Sequence, residues 1–348
     1  MYSIIERTVI FNWDFNQELD NTTLNDIALC DKIVFNNYDN LDICLITNNE
    51  RDEKYYNRWK KSKFDKRLDN LPSSITNLTL SWDFNQRLDN LPSSIINLTF
   101  GYMFNQCLDN LPSSIINLTF GHEFNQCLDN LPPLITNLTL GNGFNQSLNN
   151  LPSAIQNLTL GDNFNQCLDN LPHGIRDLTF GYCFNQFLDN LPSSIINLTL
   201  GNSFNQPLDN LPHGIRDLTL GFSFNQCLDN LPSGIINLTL GTGFNQPLDN
   251  LPSSIINLTL GYCFNQPIDN LPHSIRNLTL GQNFNLCLNN LPSSIDKITF
   301  KTLWKKDIRF NLEIKKIPQN LKTINISEIP NKSHLKKEFG KFDVEIIE

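Results

Sequence analysis

The chain has 348 residues, a mass of 39.9 kDa and a formal net charge of −9. At 40% apolar and 18% charged it is too apolar for an acidic disordered chain. No apolar run approaches the roughly 18 residues of a membrane span, and Met1-Tyr2-Ser3-Ile4-Ile5-Glu6-Arg7 carries charges where a secretory signal needs an apolar segment, so a soluble intracellular protein is expected.

Proline recurs at every twentieth residue from Pro72 to Pro292, twelve times. A fixed period of this length marks a repeat array rather than one or two globules. Residues 1–60 read as degenerate coils that cap the array and carry a charged insertion. Trp13–Asn21 matches Trp82–Asn90 at every residue but one. Phe15 and Phe64 lie 49 residues apart, which reads as two coils plus nine residues. The run Arg51–Lys63 is charged and falls in one of these coils.

Residues 61–300 divide into twelve gapless repeats of 20 residues. In 241–260, GTGFNQPLDNLPSSIINLTL, apolar residues fall at positions 4, 8, 11, 15, 18 and 20: Phe244, Leu248, Leu251, Ile255, Leu258 and Leu260. This is neither a helical nor a simple strand period. It fits a coil that turns about its own axis with six side chains inward. Ile255–Leu260 is the predicted strand, with Leu258 and Leu260 inward and Asn257 and Thr259 outward. Gly261 is expected to end it at a sharp bend, and Leu251-Pro252 to fix an extended turn. The expected architecture is a parallel β-solenoid of 20-residue coils with one long parallel sheet. Asparagine stands at position 5 in eleven repeats and at position 10 in all twelve, which predicts two asparagine ladders in the turns.

Phe310-Asn311, Ile314, Ile317-Pro318, Leu321, Ile324 and Ile326 keep the repeat spacing. Residues 301–326 therefore read as a thirteenth coil displaced by the six-residue insert Lys301–Lys306. Residues 327–348 are charged, with a short helix expected near Asn331, and read as a cap.

The core FNQxLxNLPxSIxNLTxGxxFNQ resembles the FNIP repeat of amoebae and the giant viruses that infect them. The likeness is strong over 61–300 and weak over 13–21 and 307–326. FNIP repeats are relatives of leucine-rich repeats, through the strand signature Ile-x-x-Leu-x-Leu, so the resemblance implies a leucine-rich-repeat-like solenoid. The unit is also similar to the short repeats of bacterial leucine-rich effectors. Some viral family members carry an F-box, which implies recruitment to a ubiquitin ligase. Residues 1–60 show no F-box helical pattern, so a ligase adaptor or effector stands as the alternative function.

No nucleophile–base set, Gly-rich phosphate loop or CxxC pair is visible, so no catalytic residue, metal or cofactor is expected. Residues 68–296 hold 4 basic and 16 acidic residues, which argues against nucleic acid as the partner. No small-molecule substrate is evident. Cys107, Cys127, Cys167, Cys227 and Cys287 share position 7 and read as small hydrophobes on a part-buried surface. Cys107 and Cys127 are expected on adjacent coils. The nine Asn-Leu-Thr sequons from Asn77 to Asn277 fall on the sheet and read as unglycosylated.

Positions 2, 3, 7, 13, 14 and 16 vary, and they mark the candidate binding surface. Position 2 carries Trp82, Tyr102, His122, Tyr182, Phe222 and Tyr262; aromatic rings beside a sheet are typical interface anchors. Position 16 carries Arg176, Arg216 and Arg276, each three residues after a histidine at position 13. The block His-Gly-Ile-Arg-Asp-Leu-Thr occurs at 173 and again at 213, so copying explains the His–Arg coupling. The expected function is a non-enzymatic scaffold that presents this surface to a protein partner. A remoter reading is that the outward Asn-x-Thr array binds an ordered lattice such as ice.

Overall fold

The computed structural model describes residues 2–12, 14–35, 62–302 and 314–348. They form two compact units, Met1–Gln166 with Asn170–Ile175, and Cys167–Asp169 with Arg176–Glu348. Each is a solenoid whose successive coils pair through parallel strands.

The first unit opens with β1 (Tyr2–Ile5) and β2 (Thr8–Phe11), an antiparallel hairpin. Its turn residues Glu6 and Arg7 have φ of 46° and 64°, in the left-handed region. α1 (Asn21–Asp26) follows, capped by Asp20, whose carboxylate accepts from Thr23 N–H at 2.8 Å. Next come β3 (Lys32–Phe35), β4 (Asn77–Thr79), β5 (Asn97–Thr99), β6 (Asn117–Thr119), β7 (Asn137–Thr139) and β8 (Asn157–Thr159). From β2 to β8 each strand pairs in parallel with the next.

The second unit holds β9 (Asp177–Thr179), β10 (Asn197–Thr199), β11 (Asp217–Thr219), β12 (Asn237–Thr239), β13 (Asn257–Thr259), β14 (Asn277–Leu280), β15 (Lys297–Phe300) and β16 (Thr323–Asn325). α2 (Ser333–Phe339) and β17 (Glu345–Ile347) complete it. All its strands pair in parallel, and Leu198, Leu218, Leu238, Leu258 and Leu278 meet in register. The tail 327–348 thus adds a strand to the ladder, and α2 buries Leu335 and Phe339.

The inward positions form columns. The position-4 rings stack at 6.1–6.3 Å within each unit, from Phe84 to Phe164 and from Phe184 to Phe284. Positions 15, 18 and 20 are buried throughout. Such columns stabilise coils only together, because a coil's ends bury nothing without neighbours. Pro252 O accepts from Ile255 N–H at 3.3 Å, so the proline opens the turn that re-enters the core.

Four expectations need correction. First, the position-1 glycine does open a turn, with Phe264 N–H donating to Gly261 O at 3.3 Å, but close approach rather than backbone conformation requires glycine there, since no glycine has positive φ. A Cβ on Gly261 would lie 1.9 Å from the Gly241 carbonyl oxygen, and one on Gly121 1.8 Å from that of Gly101. Second, only position 5 builds a turn ladder of asparagines: Asn105 N–H donates to Asn85 Oδ1 at 2.9 Å, and Asn245 N–H to Asn225 Oδ1 likewise. The position-10 asparagines bind the position-9 side chain of the preceding coil instead, an acid in most coils, as Asn250 Nδ2 donates to Asp229 Oδ1 at 2.9 Å, and an asparagine where Asn170 donates to Asn149 Oδ1 at 3.3 Å. Third, Phe15 and Phe64 belong to adjacent coils, with rings 5.8 Å apart and Asp65 N–H donating to Asn16 Oδ1 at 3.1 Å. Their 49-residue spacing is one coil with a long insertion. Fourth, the position-7 cysteines are exposed, because position 7 points out of the coil. Phe310 and Asn311 of the displaced coil, and the run from Arg51 to Lys61, lie outside the described residues.

Candidate partner-binding edge

Position 2 lies just past the corner glycine, on an edge of the coil beside the strand. Its backbone is pinned from coil to coil. Met103 N–H donates to Trp82 O at 2.9 Å, Glu123 N–H to Tyr102 O at 2.9 Å, and Gly143 N–H to His122 O at 2.7 Å. The second unit repeats the pattern, with Ser203 donating to Tyr182 O at 2.8 Å and Ser223 to Asn202 O at 2.8 Å. Position-2 side chains therefore project from a backbone row of fixed register.

In the first unit this register brings three rings together. Trp82 stacks on Tyr102 with centroids 4.4 Å apart and planes 3° apart, and Tyr102 stacks on His122 at 4.5 Å and 7°. His122 Nδ1 donates to Glu123 Oε1 at 3.0 Å. All three rings are half-buried, with Met103 exposed beside them. Stacked on both sides, Tyr102 presents its ring edge rather than its faces.

In the second unit the rings stand on alternate coils. Tyr182 and Phe222 are 55% and 56% exposed. Tyr262 is half-buried, and its hydroxyl accepts from Gln282 Nε2 at 3.3 Å.

The arginines lie elsewhere: position 16 immediately precedes the strand, at the other end from position 2. Arg176 is exposed. Arg216 Nη1 donates to Gly234 O at 2.8 Å, which ties it to the next coil. Arg276 pairs with Asp296 at 3.2 Å. The arginines and the rings are therefore two separate rows. His213 lines a third place, a cavity of 540 Å³ with Asp209, Leu211, Leu231 and Pro232.

The outward Asn-x-Thr array of the strands carries a ladder of side-chain amides. Asn97 Nδ2 donates to Asn77 Oδ1 at 2.5 Å, and Asn117 and Asn137 continue it, each donating to the preceding coil. In the second unit Asn237 donates to Asp217, Asn257 to Asn237 at 2.5 Å and Asn277 to Asn257 at 2.6 Å. The sequon asparagines are thus engaged with one another. Asn at position 17 in nine of the twelve repeats, with Asp177, Asp217 and Lys297 in the others, was the available signal.

Among the described residues no group of three or more His, Cys, Asp or Glu side chains is placed to hold a metal ion. No helix among them is long and apolar enough to cross a membrane.

Parallel three-residue strands on 20-residue coils, with inward Ile-x-x-Leu-x-Leu, define a leucine-rich-repeat-like β-solenoid. The FNIP repeat model matches 64–103, 84–122, 104–143, 144–183, 184–223, 204–243, 224–263 and 264–302, and the chain belongs to this family. The chain is similar to the giant-virus protein CroV588, whose crystal structure is described as a novel circular LRR structure. Identity is 33% over 93% of this chain, with a TM-score of 0.73, and the chain spans 54% of the length of that protein. The fold is also that of the internalin InlF of Listeria monocytogenes, at 17% identity and a TM-score of 0.53, covering 79% of this chain and 87% of that one. No curated protein sequence matches.

Proposed function

We propose that this protein is a non-enzymatic scaffold that holds a protein partner along its position-2 edge. The reading rests on one observation. In each unit three coils place an aromatic ring on a backbone row that inter-coil hydrogen bonds hold in register, outside the packed core. Rigid aromatic side chains lose little conformational entropy on binding and bury much area, which makes such a row a source of interface anchors. Leucine-rich-repeat solenoids such as the neighbours above commonly serve protein interaction, which agrees with this reading.

The test is affinity purification of the wild-type chain and of a variant with Trp82, Tyr102 and Tyr182 all changed to Ala. A partner that binds saturably and is lost with the triple change is the expected result. If the triple variant keeps every saturable partner, this edge is not the binding site.

A further inference from the structure

The two units use position 2 differently. In the first, consecutive coils carry Trp82, Tyr102 and His122, so the ring of the middle coil is sandwiched between its neighbours at 4.4 and 4.5 Å. In the second, position 2 alternates: Tyr182, Asn202, Phe222, Thr242, Tyr262. The backbone register is the same in both, with position-3 N–H donating to the preceding position-2 carbonyl at 2.7–3.0 Å. Tyr182 and Phe222 are therefore separated by two coil steps, roughly 9–10 Å at about 4.8 Å per step. That is twice the ring step measured in the first unit. Between them stands Asn202, whose Oδ1 accepts from Phe222 N–H at 3.3 Å and so lies along the backbone floor. Thr242 stands in the same way between Phe222 and Tyr262.

We propose that the gaps over Asn202 and Thr242 are slots, each shaped to take one aromatic side chain of a protein partner. The occupant is argued from the chain itself. In the first unit the same gap, between the rings of coils two apart, is filled by Tyr102 in near-parallel stacking. A ring inserted over Asn202 would sit about 4.5 Å from both walls, within the range of offset stacking. Phe222 is shared by the two slots, and its 56% exposure leaves it open to such a contact. A nucleobase has a similar face, but residues 68–296 hold 16 acidic against 4 basic residues, which repels a phosphate backbone. This inference rests on the scaffold reading and adds to it what the edge recognises.

The test uses a random peptide phage library panned on the full chain. Enriched peptides are then titrated against wild type, Asn202→Tyr, Asn142→Tyr and Phe222→Ser. Asn202→Tyr fills the slot from within, and the chain already carries tyrosine at this position in three other coils. The expected peptides contain an aromatic residue whose change to Ala weakens binding about tenfold or more. Asn202→Tyr and Phe222→Ser weaken it similarly, while Asn142→Tyr, the same change at a position-2 site outside both slots, leaves it within about twofold. Circular dichroism shows whether each variant keeps the wild-type fold. Failure to enrich any peptide, or peptides that bind without an aromatic residue, would overturn the proposal. So would binding indifferent to Asn202→Tyr and Phe222→Ser. Binding of an oligo-dT strand that Asn202→Tyr blocks would overturn the protein partner in favour of nucleic acid. If the Trp82, Tyr102 and Tyr182 change abolishes partner capture but Asn202→Tyr does not, the scaffold reading stands and the slot falls. If neither change matters, both fall.

Discussion

The side-chain amide of Asn257 donates to Asn237 Oδ1 at 2.5 Å, and its own Oδ1 accepts from Asn277 at 2.6 Å. Residues twenty apart in sequence thus become rungs of one ladder on the outer face of the sheet. Each asparagine has a donor and an acceptor, so a row of them continues in both directions. A carboxylate has acceptors only. Asp217 therefore receives a bond from Asn237 but has no donor to pass on to Asn197.

Asp217→Asn should supply the missing donor. A net gain of about 0.5–1.5 kcal/mol is expected for one added hydrogen bond. Asn257→Ala should remove two bonds and cost about 1–2 kcal/mol. Urea midpoints for both variants, with equal transition slopes, check the prediction.

Gly241→Ala should be far more damaging than its size suggests. The added Cβ would lie 1.8 Å from the Gly221 carbonyl oxygen, which is backbone and cannot step aside. The coils must separate locally, at a cost of about 3 kcal/mol or more. Gly174→Ala is the control. There the nearest atoms are carbonyl oxygens at 3.2 Å, so a shift of a few tenths of an ångström suffices. Thermal melts should show a large fall in Tm for the first and a small one for the second.

The inward positions were legible because burial selects the same residue type in every coil. Phe244, Ile255, Leu258 and Leu260 announce themselves by period alone, and all are buried. Other features were hidden because one residue type serves several causes. Glycine at position 1 marks a turn, but the spacing of neighbouring backbones, not a special φ, requires that residue type. Asparagine stands at positions 5, 10 and 17, yet its partner is a backbone N–H at the first, a carboxylate at the second and another amide at the third. Nothing in the spacing tells these apart. The hairpin of β1 and β2 and the strand β17 were missed because neither keeps the repeat pattern. At the candidate edge the aromatic row was legible, but the stacking of Trp82 on Tyr102 required the register.

Acid should loosen the C-terminal helix. Glu338 is buried and accepts from Lys341 Nζ at 2.6 Å and from Ile314 N–H at 3.4 Å. The bond from Lys341, ahead of that from Ile314, holds its carboxyl below the usual glutamate range against the opposing effect of burial. A carboxylate with a depressed folded pKa contributes stability that is present above the unfolded value, about 4.3, and is lost as pH falls through the folded value. Hydrogen exchange of the α2 amides should therefore quicken as pH is lowered below about 4, after correction for the intrinsic rate. In Glu338→Gln protection should be weaker at neutral pH and change less on acidification. Equal pH dependence in the two proteins would count against the assignment.

Every row described above depends on coils that stack in a 20-residue register, and two native thiols test this directly. Cys107 and Cys127 are both exposed at position 7 of consecutive coils, whose strands β6 and β7 pair in parallel. Cys227 and Cys287 occupy the same position three coils apart, roughly 14 Å at the coil spacing. The measurement is treatment of the native chain with a thiol crosslinker of about 5 Å span, followed by peptide mass spectrometry. The account predicts a link between Cys107 and Cys127 within one chain and none between Cys227 and Cys287. A link between Cys227 and Cys287, or no link between Cys107 and Cys127 when both are reactive, would contradict it.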